Sequence, residues 1–409
     1  MSTEIPPRTA KADGPLTGMV VVELAAGLAG PFACTLLADF GAEVIKIERP
    51  GSGDFFRDVD PSGGAWWKSM SRGKCSLSMD LSNPASREVI KDLVSKADVL
   101  VESFRPGVLE RLGLGPDVLA RWNPDLIVLR ISGYGQTGPY RERPGFGKAL
   151  EAFAGLLHMT GFPDGPPVYV GFAIADMCSG LMGAYGVLLS LMAREKGMAK
   201  GQVIDLALYE SILRLMDYVV PVATGSDIPL MRAGNRQPMG FAPSGIFKTR
   251  DGRWLVYSAA TALITRRIIS VVAGEEYARS PKFENLTNIR NHLDEIDDLV
   301  ADWCKKQTAE EAVRRLSEAE AVAAIVSTPS EIVSDPHILA RRSIVPLEGE
   351  KAMFVNVTPS LSETPGRIRC PGPARVGGDS VSILKNLLGY DDGKIARLVE
   401  SKSVQVSAS

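Results

Sequence analysis

The chain has 409 residues, with 46 Lys plus Arg against 48 Asp plus Glu and 3 His, a formal net charge of -2. That balance argues against a basic nucleic-acid platform, and the length supports two or three domains with a core that needs no staples. Five scattered cysteines with no CxxC pair exclude a disulfide framework and the common zinc spacings and fit a reducing cytoplasm.

Residues 1–14 carry no apolar run, so they read as a loose tail rather than a secretory signal. Residues 19–24 (MVVVEL) predict a strand, PFACTLLADFGA a helix closing at Gly41, and EVIKIE a second strand. Pro31 near the helix start and Gly41 past its end follow the usual capping asymmetry. The alternation continues with CSLSMDL as strand, Asn83 as N-cap before PASREVIKDLVSKA, DVLVES as strand, VLERLG as helix and DLIVLRIS as strand. Strands and helices alternating at these lengths predict an α/β fold, an open parallel sheet wrapped by helices. The apolar stretch 177–193 is shorter than the ~20 residues of a membrane span. It is interrupted by Gly180, Gly183 and Gly186 and predicts a buried core helix. VIDLALYESILRLMDYVV predicts a strand running into a long helix, followed by a Gly/Pro-rich stretch. WLVYSA and the charged amphipathic patterns LDEIDDLVADWCKK and AEEAVRRLSEAE predict a smaller α+β domain. The expected organisation is a large domain over 1–224, which carries the chemistry, a small domain over 225–330, and a segment 331–409 returning to the large domain.

Gly133, Gly135 and Gly138 form a GxGxxG after a strand, yet Pro139, Pro144 and Gly145 forbid the helix that a pyrophosphate site requires there. No P-loop, HExxH or GxSxG is present. Asp176, between a strand-like run and the apolar helix, reads in two ways: as a helix N-cap, or as a poorly solvated carboxylate nucleophile held at the positive end of a helix. Basic residues recur near strand ends (Lys46, Arg49, Arg72, Lys74, Arg105, Arg111, Arg141, Arg143). They are individually ordinary surface charges, but collectively they suit a polyphosphate ligand at the carboxyl edge of a sheet. His158, His292 and His337 show no ligand spacing, so no metal is assigned.

The blocks LAGPFACTLLADFGAEVIKIERPGSGD, ADVLVESFRPGVLERLG, ISGYGQTGPYRERPGF, GPPVYVGFAIADMCSG and GQVIDLALYESI stand in order over the first 215 residues. Together with the fainter GNRQPMGFAPSGIFKTRDG and LLGYDDGKIARL, they resemble class III coenzyme A transferases, the family of formyl-CoA transferase and crotonobetainyl-CoA:carnitine transferase. The resemblance implies a Rossmann-like large domain, a small second domain and two interlocked subunits. It implies transfer of CoA from an acyl-CoA donor, succinyl-CoA or similar, to an organic acid through a mixed anhydride on Asp176. Backbone N–H groups of a glycine-bearing loop would hold each oxyanion. CoA contacts carry over to Leu28, Ala29, Arg49, Ser103, Phe104, Arg111 and Arg143, with Arg72 and Lys74 added as basic loop residues. Leu28 replaces a glutamine of formyl-CoA transferase, and 237–245 (QPMGFAPSG) replaces its run of four glycines, which puts a mobile lid in doubt. Met239, Gly240 and Phe241, with Phe247 nearby, would shape an acceptor pocket of more apolar character.

No tightly bound cofactor or metal is implied, only a CoA thioester as substrate. The implied partners are an acyl-CoA, an organic acid and a second subunit, identical or homologous. Neither nucleic acid nor membrane is implied, and the implied compartment is the cytoplasm. Two alternatives share the fold. One is an α-methylacyl-CoA racemase, whose His–Asp pair would fall where Gly145, Phe146 and Gly147 stand. The other is an acyl-CoA-binding subunit of a heteromeric transferase, which would have no chemical need for Asp176.

Overall fold

A computed structural model describes residues 14–236 and 242–406. Residues 1–13 of the expected tail and the expected pocket residues Met239, Gly240 and Phe241 lie outside the described residues. The described chain forms two compact units: 14–154, Phe172–Leu215 and 336–406 make the first, and Gly155–Gly171 with Met216–Asp335 the second. The large unit is thus assembled from three stretches. The segment 155–171, read from sequence as part of the first domain, joins the second unit instead.

In the first unit the elements that matter for the site are, in chain order, β1 (Val20–Glu23), α1 (Ala29–Asp39), β2 (Glu43–Glu48), β3 (Lys74–Met79), α2 (Ser86–Lys96), β4 (Val99–Glu102) and β5 (Ile127–Ser132). They continue with α3 (Gly147–Phe153), α4 (Ile174–Glu195), β6 (Gln202–Ala207) and α5 (Leu208–Leu215). Six strands are parallel in the order β3-β2-β1-β4-β5-β6, and a final short strand, Val404–Gln405, adds antiparallel to β3. The runs of Val and Ile that predicted these strands are buried along their length because both sheet faces are covered. Side-chain alternation sends Val20 and Val22 to the core shared with α2, and Val21 to the core shared with α1 and α4.

The C-terminal segment packs on the first of these cores through Leu384, Leu387 and Leu398. Ser380 Oγ accepts the Ser78 N–H at 3.1 Å, and Asp379 accepts the Ser76 N–H at 2.8 Å. Helix α2 begins at Ser86. Asn83, expected as its N-cap, instead accepts the Ala85 N–H at 3.0 Å within the preceding turn.

Helix α4 is longer than the apolar stretch suggested: 22 residues, enough by length and composition alone to cross a membrane. Its glycines do not interrupt it. A Cβ at Gly180 would lie 2.8 Å from the Ala29 carbonyl oxygen and 2.8 Å from Phe32, so glycine here is the condition for α1 to cross α4 at this distance. Only one face of α4 is core. Leu181, Tyr185, Leu188, Leu189 and Met192, spaced as one helical stripe, are exposed on the other.

The second unit holds a three-stranded antiparallel sheet, β7 (Ser244–Lys248), β8 (Trp254–Ser258) and β9 (Val322–Ile325). It is backed by the helices Ala262–Ala273, Leu293–Cys304 and Ala309–Glu318 around Tyr257, Phe283 and Trp303. Phe247, expected near the acceptor, stacks on Tyr257 with ring centroids 5.8 Å apart and packs on this core.

Candidate active site

Progression through the sheet runs outward from β1 to β2 and β3, then returns to the other side of β1 for β4, β5 and β6. The carboxyl ends of β1 and β4 therefore flank the point where the winding reverses, the place where open α/β sheets leave a crevice for ligand. The loop after β1 turns at Gly27, whose φ of 80° suits glycine. The Gly27 N–H donates to Asp54 at 3.1 Å, Asp54 pairs with Lys46 at 2.7 Å, and Lys46 pairs with Glu23 at 2.7 Å. Lys46 is fully buried. Burial disfavours its charge, but Glu23 and Asp54 outweigh that and raise its pKa above the usual lysine value. This buried chain of charges fixes the loop that delivers Leu28 and Ala29 to the start of α1. Across the crevice, Ser103 Oγ accepts the Ala26 N–H at 3.1 Å, and the Phe104 N–H donates to Glu102 at 2.7 Å. The loop carrying Leu28 and Ala29 and the loop carrying Ser103 and Phe104 thus come from two separate blocks to lie side by side at the carboxyl ends of β1 and β4.

The basic residues divide. Arg49 is exposed just past β2; its carbonyl accepts the Gly53 N–H at 2.9 Å, while its guanidinium makes no hydrogen bond or ion pair among the described residues. Arg111 is exposed and lines a cavity of about 550 Å³ with Arg105, Arg130, Gln136 and Arg141. In its wall Arg130 donates to Glu102 at 2.6 Å and Glu110 at 2.8 Å, while Arg130 Nη2 and Gln136 Nε2 are buried without a hydrogen-bond partner. Arg143 lies outside that lining, with its guanidinium 3.6 Å from the centroid of the Tyr140 ring.

Arg72 and Lys74 correct the sequence reading. Arg72 is buried against Asp39 at 2.6 Å and donates to the Val355 carbonyl. Lys74 is buried against Glu23 at 2.8 Å and donates to the Pro31 carbonyl at 2.7 Å. Their positive charge is already matched inside the protein, so they have none to offer a phosphate. A strand end exposed in a linear reading is covered here by α1 and by the chain around Val355.

The GxGxxG loop after β5 is likewise engaged within the fold. The Gln136 N–H donates to Asp205 of β6 at 3.0 Å, and no helix opens before Gly147.

Asp176 is half-buried in the first turn of α4. It is not the N-cap: Ala173 holds that position, and no side-chain cap bond is made. Its carboxylate rests on Gly147, where an added Cβ would stand 2.2 Å from Oδ2 and 3.1 Å from Cγ. Its neighbour Met177 packs with Leu28 and Phe32 against the cluster of Phe56, Trp67 and Met70, which brings the start of α4 beside the loop after β1. Burial first, and the charge of Glu151 second, raise the Asp176 pKa to about 6, while Lys148 opposes the rise. At neutral pH the group remains mostly ionised yet is more basic than an ordinary aspartate. Gly147, Lys148 and Glu151 were not picked out from sequence as parts of the nucleophile's surroundings. The spacing of Gly147 and Glu151, one helical turn apart, was the only signal available.

A family model described as CoA-transferase family III matches residues 16–380. The chain belongs to that family. It is accordingly an enzyme, a class III CoA-transferase that uses CoA thioesters as substrates.

Among its relatives, succinyl-CoA–D-citramalate CoA-transferase of Chloroflexus aurantiacus is 40% identical over 97% of this chain and 98% of its own. The succinyl-CoA–L-malate CoA-transferase beta subunit of the same organism is 40% identical over 93% and 96%. A CAIB/BAIF family protein from Brucella suis has a solved structure that superposes with a TM-score of 0.80 at 28% identity, covering 91% of this chain and 99% of that one. Where the racemase alternative needs a His–Asp pair, this CoA-transferase has Phe146 and Gly147. Its nearest histidine, His158, belongs to the second unit and contacts the Leu230 carbonyl at 3.2 Å through Nε2.

Proposed function

We propose that this CoA-transferase moves CoA from succinyl-CoA, or a similar dicarboxylyl thioester, to a short organic carboxylate, with Asp176 as nucleophile. The observation that carries the reading is the half-buried Asp176 carboxylate of raised basicity, seated on Gly147 beside the switch-point crevice. The donor class rests on relatives named for succinyl-CoA with citramalate and malate.

Asp176 attacks the thioester carbonyl, the C–S bond breaks, and CoA thiolate leaves an acyl-aspartyl anhydride. The thiolate then attacks the aspartyl carbonyl of that anhydride, releasing the donor acid and forming an aspartyl-CoA thioester. The acceptor carboxylate displaces the thiolate again to form a second anhydride. Attack of the thiolate on the new acyl carbonyl frees Asp176 and the product thioester. Each bond broken is matched by one formed, so neither ATP nor a redox partner enters.

The test is a mass-spectrometric exchange assay with purified protein, succinyl-CoA and a panel of free carboxylic acids. New acyl-CoA species are expected, with short dicarboxylates preferred. Washout of α-deuterium from a 2-methylacyl-CoA without CoA exchange would overturn the reading in favour of a racemase.

In the same reading Leu28, Ala29, Ser103 and Phe104 line the CoA path, with the Phe104 ring toward the adenine, and Arg49 and Arg111 meet CoA phosphates. The unpartnered donors of Arg130 and Gln136 beside Arg105 and Arg111 support an anionic guest, because buried donors otherwise cost free energy. Arg49→Ala and Arg111→Ala are each expected to raise KM for the acyl-CoA roughly tenfold with kcat little changed, more at low salt than at high. An unchanged KM would mean that the residue is only a surface charge.

The exposed apolar stripe of α4, together with exposed Phe146 just before α3 and Phe172 just before α4, supports burial against a second subunit. By resemblance that subunit is a second copy in an interlocked dimer, and the alpha and beta subunits among the relatives keep a homologous partner open. Sedimentation velocity at micromolar concentration is expected to give about twice the 43.9 kDa chain mass. A monomer contradicts the assembly.

A further inference from the structure

Glu151 is completely buried on α3, one turn beyond Gly147. Its Oε2 accepts from Lys148 Nζ at 3.0 Å, but its Oε1, also buried, has no hydrogen-bond partner. A buried carboxylate oxygen left unpartnered is costly and calls for an explanation. Residues four apart on a helix share a face, and Gly147 is the residue on which the Asp176 carboxylate rests. Asp176, resting on Gly147, and Glu151, one turn farther along, therefore lie toward one face of α3, and the charge of Glu151 reaches the Asp176 carboxylate. Lys148 also donates to the Phe172 carbonyl at 2.8 Å, which ties Glu151 to the loop that enters α4.

We propose that Glu151 is a positioning residue for the nucleophile: held by Lys148, its negative charge faces Asp176 and favours every step in which Asp176 loses its own charge. The proposal rests on Asp176 forming acyl intermediates. The physical point is a difference between states. Carboxylate repulsion exists in the free enzyme and vanishes when Asp176 becomes an anhydride or a thioester, since both are neutral at that carbon. Repulsion present only in the ground state lowers the barrier to acylation. The same repulsion makes Asp176 easier to protonate, so activity must fall as pH drops through about 6.

Other charges on elements packed against α4 have partners of their own. Asp39 of α1 pairs with Arg72, Arg130 of β5 with Glu102 and Glu110, and Asp205 of β6 accepts the Gln136 N–H. Glu210 of α5 accepts the Ala207 N–H, and Arg214 stands in the last turn of α5. Cys34 of α1 and Tyr209 of α5 have pKa values raised by burial and stay neutral. Glu151 and Lys148 are the charges that act on Asp176, and they act with opposite sign.

The experiment measures kcat and KM against pH for wild type, Glu151→Gln, Lys148→Met and Asp176→Asn, with succinyl-CoA and the best acceptor from the exchange panel. Glu151→Gln is expected to move the acid limb of the kcat/KM profile to lower pH by roughly half a unit or more, and to lower kcat at pH 8 about tenfold with KM for the thioester unchanged. Lys148→Met is expected to move the same limb to higher pH. A role in packing alone would not shift the two limbs in opposite directions. Limbs that stay in place, or move together, overturn the proposal while Asp176→Asn remains inactive. An active Asp176→Asn overturns the nucleophile reading itself, so the two failures are distinguishable. If one of the two charge variants fails to fold, the sign of the shift in the other still decides.

Discussion

Asp176→Asn is expected to reduce CoA exchange by about 10⁴-fold or more, the scale on which removing a covalent nucleophile acts. The amide keeps the volume and shape of the side chain at the start of α4 but cannot form an anhydride. Because Asp176 is neither the N-cap nor a partner in any ion pair among the described residues, its loss removes no element of the fold. Acyl-CoA binding, read by isothermal calorimetry, should stay within the wild-type range. Wild-type protein incubated with succinyl-CoA should also show a mass increase on the peptide containing Asp176, absent in the variant. Retained turnover by Asp176→Asn, measured free of wild-type contamination, would remove the covalent mechanism. A variant that is inactive and unfolded would be uninformative by itself, so the thermal melt is measured on the same sample.

Gly147→Ala is expected to lower kcat ~10²-fold while leaving the protein as stable as wild type or slightly more so. Its Cβ would stand 2.2 Å from Asp176 Oδ2, a distance that non-bonded heavy atoms do not tolerate. The atom that must yield is the end of a short side chain rather than backbone, so the carboxylate swings away and the fold survives. Alanine is meanwhile the better helix former, favoured over glycine by up to about 1 kcal/mol in a helix. Stability and activity should therefore move apart, which a general packing defect would not produce. A wild-type kcat in a normally folded Gly147→Ala protein would show that the exact seat of the carboxylate does not matter.

Much of the architecture was legible because it is encoded locally. The β-branched runs 19–24 and 43–48 are strands, and the helical pattern beginning at Pro31 is a helix within a turn at each end. The refusal of the GxGxxG loop followed from Pro139 and Pro144, and the structure supplies the reason the loop holds its shape, Asp205 accepting the Gln136 N–H. The errors have one physical origin. Arg72 and Lys74 look like their exposed neighbour Arg49 in a linear reading, since nothing local says that Asp39 and Glu23 lie beside them. The glycines of α4 looked like interruptions because their use is close packing on partners distant in sequence: Gly180 on α1, Gly183 on Leu129 and Ile131 of β5, and Gly186 on Ile204 of β6.

By itself the amino-acid sequence determined the order of elements, the family and the identity of Asp176 as the residue to test, because propensity, periodicity and ordered motifs are properties of short stretches. Only the tertiary structure decided which charges are spent inside the protein, that the loops carrying Leu28 and Ser103 lie side by side, and that Asp176 rests on Gly147 with Glu151 one helical turn beyond. These are facts about burial and juxtaposition. They arise when segments separated by tens of residues share one low-dielectric interior, where a neighbouring charge counts for far more than in water.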